Sequence, residues 1–328
     1  MRLLPRNSRF FVAGHRGLVG SAIWRLLRGM GTYTLIGRGS DELDLREGAA
    51  VSEFIGEQRP DVIVLAAARA GGIAANTTAP ADFMSDNLRI QLNIMDAARA
   101  RRVPRLLFLG SSCIYPKFAP QPITESSLLT GPLEPANGSY AIAKIAGILH
   151  TQAVRRQDGL RWISAMPSSL YGPGDNFDPQ ASHVLPGLLR RFHDARVIGA
   201  EHVVLWGSGT CRREFLHADD LARACLVLLE QYDGPDPINV GVGSDVTIRE
   251  LAEMVADVVD YRGAIVADPS RPDGTPRKLL DVSRIRALGW TPTIGLRQGI
   301  ESTYRWFLDH RERLRTTGRI RAAEEVTA

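Results

Sequence analysis

The chain has 328 residues, with 40 lysines and arginines against 36 aspartates and glutamates, a formal charge of +4. With 44% apolar and 23% charged residues it has ordinary globular composition, which excludes a disordered chain, a collagen-like fibre and a coiled coil. Apolar runs are short, Asp61–Ala68 being typical, and none reaches the roughly 20 residues of a membrane-spanning helix.

Length predicts about two domains, or one large α/β unit with an appended lobe. Arg9–Ala13 reads as a strand leading into Gly14, with no long apolar signal-peptide core before it. Leu18–Arg28 has helical spacing, and Thr32–Gly37 and Asp61–Ala67 read as further strands, the latter apolar enough to be buried on both faces. A helix is expected over Asp86–Arg102, a strand over Arg105–Leu109, a helix over Ser139–Gln157 with Ser139 as its cap, and a strand over Trp162–Met166. This alternation predicts a Rossmann-type doubly wound parallel sheet. After Leu170 the texture becomes rich in proline and glycine through Tyr171–Pro186. A helix over Leu185–Arg196, strands at Val203–Leu205 and Ile238–Val240, and a threonine-capped helix over Thr247–Val259 follow. The expected division is a cofactor domain over residues 1–170 plus about 214–243, a smaller α/β substrate lobe over 171–213 and 244–320, and a flexible tail at 321–328.

Cys113, Cys211 and Cys225 are scattered, so neither a disulfide framework nor a metal site is expected, and a reducing cytoplasm is the expected compartment. The basic charge is almost all arginine interleaved with acids, without an aromatic-basic array, which argues against nucleic acid.

Three motifs carry chemistry. In Gly14-His15-Arg16-Gly17-Leu18-Val19-Gly20, glycine recurs every third residue between a strand and a helix. A diphosphate needs close approach to such a backbone and to the free N–H groups of the helix start. At the end of the second strand, where an NAD enzyme usually carries an acid, stands Arg38. With Arg16 it suits a 2′-phosphate and favours NADP, the plainer reading being two solvated arginines. Tyr140 and Lys144 share a helical face, and an ammonium there would lower the phenol's pKa and hold a ribose. Gly110-Ser111-Ser112-Cys113-Ile114-Tyr115-Pro116 ends a buried strand, the edge where open α/β sheets bind ligands. Its serines could bind a carbonyl or merely shape a turn, and Cys113 could equally be a small buried hydrophobe.

Together these motifs resemble the extended short-chain dehydrogenases/reductases. The segments Val12–Ala22, Leu107–Pro116, Tyr140–Gly147, Ser182–Pro186 and Pro272–Asp281 resemble, more closely, the GDP-L-fucose synthase family, the GDP-4-keto-6-deoxy-D-mannose 3,5-epimerase/4-reductases, over about residues 8–315. The resemblance implies a reductase triad of Ser111, Tyr140 and Lys144, and an epimerisation pair of Cys113 and His183. It implies GDP-sugar contacts at Arg191, Trp206, Arg213 and Asp273. It implies NADP(H) contacts along the glycine loop and at Arg38, Ser40, Asp44, Leu45, Leu109, Gly110, Ser112, Lys144, Pro167, Ser168, Ser169, Leu170 and His183. No metal is implied. Paired helices Asp86–Arg102 and Ser139–Gln157 would make a homodimer. The sequence departs from the family at Ser168-Ser169, where Thr-Asn is usual, at Asn137-Gly138-Ser139 in place of Asn-Glu-Pro, and at Ser40, where arginine is often found. Alternatives are a GDP-colitose-type or heptose-type synthase on the same fold and a non-catalytic NADP-binding protein.

Overall fold

The computed structural model describes residues 4–317 except 180 and 272; the tail expected at 321–328 lies outside the described residues. The strands are β1 (Arg9–Ala13), β2 (Thr34–Ile36), β3 (Val62–Leu65), β4 (Arg105–Leu109), β5 (Arg161–Pro167), β6 (Ser169–Tyr171), β7 (His202–Trp206), β8 (Arg212–Arg213), β9 (Phe215–His217), β10 (Ile238–Val240), β11 (Val246–Thr247), β12 (Ala264–Asp268) and β13 (Arg277–Lys278). The helices are α1 (Leu18–Met30), α2 (Gly48–Gln58), α3 (Ile73–Thr78), α4 (Pro80–Ala100), α5 (Gly138–Asp158), α6 (Val184–Ile198), α7 (Ala218–Gln231), α8 (Ile248–Val259), α9 (Ser283–Ala287) and α10 (Leu296–Thr317).

Six strands form one sheet in the order β10-β5-β4-β3-β1-β2, every pair parallel. The central strands β3 and β4 are buried along their whole length, as near-continuous apolar sequence requires when helices cover both faces. Helix α4 packs along α2 and α5, and α1 packs along α7. The chain leaves β1 to one side for β2 and returns on the other for β3, so the order switches at β1/β3. The carboxyl ends there open the crevice in which such sheets bind ligands.

A second core gathers Tyr171, Phe177, Leu188, Phe192, Leu251, Val255, Ile300 and Phe307. It is built by α6, α8 and α10 with the paired strands β7 and β12. Helix α8 starts as its sequence dictates, with Thr247 and Glu250 forming a reciprocal capping box, a device worth about 1 kcal/mol. Glu214 ties the two cores at the backbone level. Its fully buried carboxylate accepts from Gly243 N–H at 2.5 Å and Leu280 N–H at 3.1 Å, and its carbonyl accepts from Ser169 N–H at 3.2 Å.

Some boundaries differ from expectation. Helix α4 begins at Pro80, ahead of the expected Asp86, because Pro80 fits a first helical turn. Helix α5 starts at Gly138, so Ser139 lies inside it and makes no cap hydrogen bond.

Candidate active site

The glycine loop is shaped by contacts that leave no room for side chains. Gly14 has φ +85°, and a Cβ there would lie 2.8 Å from the backbone of Ala67, just past β3. A Cβ on Gly20 would lie 2.1 Å from the Gly14 carbonyl oxygen. The loop therefore closes onto the first turn of α1. By contrast, a Cβ on Gly17 would meet nothing nearer than 3.4 Å. Gly17 caps α1, whose first turn holds no acid and receives no side-chain cap. Leu18 and Val19 continue that turn, half-buried against the first core. That is a cradle with its donors facing an open side, and it suits a diphosphate.

Around the cradle, Arg16 bonds Asp41 at 2.9 Å and approaches Glu42 at 3.4 Å. Arg38 is exposed, with its guanidinium 5.6 Å from the centre of the Phe54 ring. Ser40 is exposed beside it, Asp44 is held by Arg46, and the Leu45 carbonyl accepts from Asn93. His15 is buried against Trp24, its Nδ1 has no hydrogen-bond partner, and burial with Arg16 beside it lowers its pKa. The expected phosphate arginines are thus present, but Arg16 starts out paired to two carboxylates that sequence spacing did not reveal.

At the end of β4 the chain passes Leu109 and Gly110 into a short 3₁₀ turn, Ser112–Ile114. Ser111 caps that turn, its Oγ accepting from Cys113 N–H at 3.3 Å. Cys113 is buried, and loss of hydration pushes its thiol pKa up. Lys278, the Ser111 hydroxyl and Lys144 pull against that shift. Helix α5 lies close on β4 because Gly147 has no side chain: a Cβ would sit 2.3 Å from the Phe108 ring. Lys144, one turn earlier, is driven inside, where its Nζ donates to the Leu109 carbonyl at 2.8 Å. Burial pushes its amine down to about 8. Tyr140 is half-buried, and burial, then Cys113, raises its phenol above the ordinary value. This corrects the expectation that Lys144 lowers the phenol's pKa. The ammonium is spent on Leu109, and desolvation outweighs it.

On the other side of the cleft, Pro167 pairs with Val240, Ser168 is buried with an unpartnered Oγ, and Ser169 opens β6, followed by half-buried Leu170. His183 caps α6. Its surface is open to solvent, yet protein surrounds it closely enough that desolvation lowers its imidazole pKa. A side chain wetted on one side and enclosed on the others lines a cleft. Arg191 and Arg213 share this condition. Trp206 is 58% exposed, with Arg191 and Arg271 at 5.9 and 5.3 Å from its ring centre. Asp273 accepts from Ser208 N–H at 2.8 Å, and both Asp273 and Cys211 lie within charge range of Arg213. The structure therefore brings Ser111, Cys113, Tyr140 and Lys144 together. Among the described residues, no hydrogen bond or ion pair joins His183 to Cys113. Arg271, Glu134 and Lys278 were not foreseen; for Lys278 the available signal was that lysine occurs only at 117, 144 and 278.

Residues 10–241 match the model of the NAD dependent epimerase/dehydratase family. The chain is 54% identical over 318 residues to a GDP-L-fucose synthase of Escherichia coli, covering 94% of this chain and 99% of that one. The chain belongs to the GDP-L-fucose synthase family. GDP-L-fucose synthase 1 of Arabidopsis thaliana is 57% identical over 303 residues, 92% of this chain and 94% of that one. A solved GDP-L-fucose synthetase from Naegleria fowleri, bound to NADP, superimposes with a TM-score of 0.86 at 28% identity, covering 94% of this chain and 96% of that one. As in any GDP-L-fucose synthase, a substrate in the crevice would have to meet both the glycine cradle and the end of β4.

Proposed function

We propose that the protein converts GDP-4-keto-6-deoxy-D-mannose to GDP-L-fucose, inverting carbons 3 and 5 and then reducing carbon 4. The observation that carries this reading is the meeting of Ser111, Cys113, Tyr140 and Lys144 at one sheet edge, in a chain related along nearly its whole length to GDP-L-fucose synthases. NADP(H) is the cofactor, and when bound it supplies the hydride for carbon 4. The glycine cradle, Arg16 and Arg38 would hold its phosphates. Ser168 Oγ, buried without a partner, is suited to a nicotinamide amide.

The 4-ketone acidifies the protons on carbons 3 and 5. Cys113 and His183 exchange them, one from each face of the sugar, with ordinary pKa values near 8.5 and 6.5 that bracket neutrality. Ser111 and Tyr140 hydrogen-bond the oxygen that gains charge as the enolate forms. Tyr140 then protonates that oxygen at the reduction step. Its raised pKa keeps the phenol protonated, the form a proton donor needs. Arg191, Trp206, Arg213 and Asp273 receive the GDP-sugar. Residues 1–170 with 214–243 form the cofactor domain, and 171–213 with 244–320 the substrate lobe. Among the described residues, no helix is long and apolar enough to cross a membrane.

NADPH is expected to bind more tightly than NADH. Arg16→Ala should narrow the gap severalfold, because a charged pair to a phosphate is lost. Equal affinities of the wild-type protein for the two cofactors, measured by fluorescence titration, would contradict this. A homodimer through α4 and α5 is supported by Leu92, Ile142 and Leu149, which are 42%, 44% and 42% exposed along those helices. Sedimentation should show a dimer at micromolar concentration, and a monomer would refute it. The sugar is tested by NMR of the product formed from candidate GDP-keto-sugars. GDP-L-fucose is expected, and turnover only of a colitose or heptose precursor would favour those syntheses. Absence of NADPH oxidation with every keto-sugar would favour a non-catalytic binding protein.

A further inference from the structure

Lys278 has no place in the site described so far, yet the fold fixes it firmly within it. Strand β13 runs parallel to β8, with Lys278 opposite Arg213. Its neighbours are pinned to the loop that continues from the Cys113 turn. Ile123 N–H donates to the Leu279 carbonyl at 2.7 Å, and Asp281 N–H donates to the Ile123 carbonyl at 2.8 Å. Gln121 accepts from Leu279 N–H at 2.8 Å and donates to the Arg277 carbonyl at 3.1 Å. Leu280 N–H is held by Glu214 at 3.1 Å.

The ammonium at the centre of this scaffold lacks a partner. Lys117 pairs with Glu134 at 3.1 Å, and Lys144 donates to Leu109 at 2.8 Å. Among the described residues, Lys278 makes no side-chain hydrogen bond and no ion pair. It is enclosed on almost every side, so desolvation lowers its pKa. The groups in charge range are Cys113 first, then Arg213 and Glu134. Glu134 is already engaged, accepting from Lys117 and from the Thr275 hydroxyl at 3.2 Å on the same oxygen. From the thiol's side, Lys278 is the strongest charged neighbour, ahead of Lys144, with the Ser111 hydroxyl and Tyr140 completing the surroundings. A buried cation without a counter-charge is costly unless an anion forms beside it.

We propose that Lys278 is the counter-ion of the Cys113 thiolate, a positioning residue that keeps the cysteine ionisable near neutral pH. The proposal rests on the reading of Cys113 as an epimerisation base. When the thiolate removes a proton from carbon 3 or 5, the C–H electron pair passes into the enolate and the proton goes to sulfur. The sulfur charge that Lys278 balanced is thereby discharged onto the sugar oxygen. Without the cation, burial alone would leave little thiolate to start the step.

The test reads the thiolate directly, by absorbance at 240 nm against pH. Subtracting the same trace for the matching Cys113→Ser protein isolates Cys113 from the other two cysteines. Lys278→Met should raise the midpoint by at least one pH unit, a tenfold loss of thiolate at neutral pH. Deuterium exchange at carbons 3 and 5 should shift upward in pH by the same amount, and Lys278→Arg should restore most of both. Lys278→Gln, with a polar end, is the second variant should the Met protein fail to bind NADPH. An unchanged midpoint in a folded, NADPH-binding variant would overturn the proposal, even if KM for the GDP-sugar rose, since that would make Lys278 a substrate contact alone. If Cys113→Ser kept wild-type exchange, the reading of Cys113 as base would fail, while the midpoint shift would still report on the pair.

Discussion

Tyr140→Phe is expected to stop reduction while leaving epimerisation running. The substitution removes one hydroxyl from a half-buried ring and leaves Lys144 bound to the Leu109 carbonyl, so α5 and the ammonium stay in place. Lost is the proton donor for the oxygen on carbon 4. General acid catalysis contributes about 10²–10⁴-fold, so NADPH oxidation should fall by that factor. The 4-ketone survives, and with it the acidity of carbons 3 and 5. In deuterated water the mutant should still exchange both protons. If NADPH oxidation persisted at the wild-type rate, Tyr140 would not be the donor, and its raised pKa would reflect burial alone.

Cys113→Ser is expected to do the reverse. The hydroxyl of serine fits the same buried turn and can keep the backbone bond to Ser111, but it is far less acidic than a thiol. Losing the base should cost several factors of ten in exchange, each about 1.4 kcal/mol of barrier. Ser111, Tyr140 and Lys144 remain, so the mutant should bind NADPH and GDP-sugar normally. It should slowly reduce the unepimerised ketone to a different GDP-6-deoxyhexose. His183→Asn should impair epimerisation at the reprotonation step. Wild-type exchange in Cys113→Ser would make the cysteine a packing residue.

Much of this site was legible before any coordinates. The glycine triplet, the apolar strand before Ser111 and the Tyr140/Lys144 spacing are local patterns, and local backbone geometry decides where they sit. Thr247 and Glu250 likewise announced the start of α8. Helix α2 was hidden by its glycines at 48 and 56, and α10 by its many charges. Other features depend on contacts between distant segments. That Arg16 begins paired with Asp41 and Glu42, that Lys144 turns to Leu109 rather than to the phenol, and that Lys278 arrives beside Cys113 are all set by tertiary packing. No spacing rule reaches across β13, β8 and the loop after Cys113. Burial reversed the expected direction of the Tyr140 shift because desolvation, invisible in a linear sequence, outweighs one nearby ammonium.

The central claim is that one cleft performs epimerisation and reduction in sequence. It is tested most directly by running the wild-type protein in deuterated water with NADPH and GDP-4-keto-6-deoxy-D-mannose and reading the product by NMR. The account predicts GDP-L-fucose carrying solvent deuterium at carbons 3 and 5 and the cofactor's protium at carbon 4. A reduced product with protium at carbons 3 and 5 would contradict it.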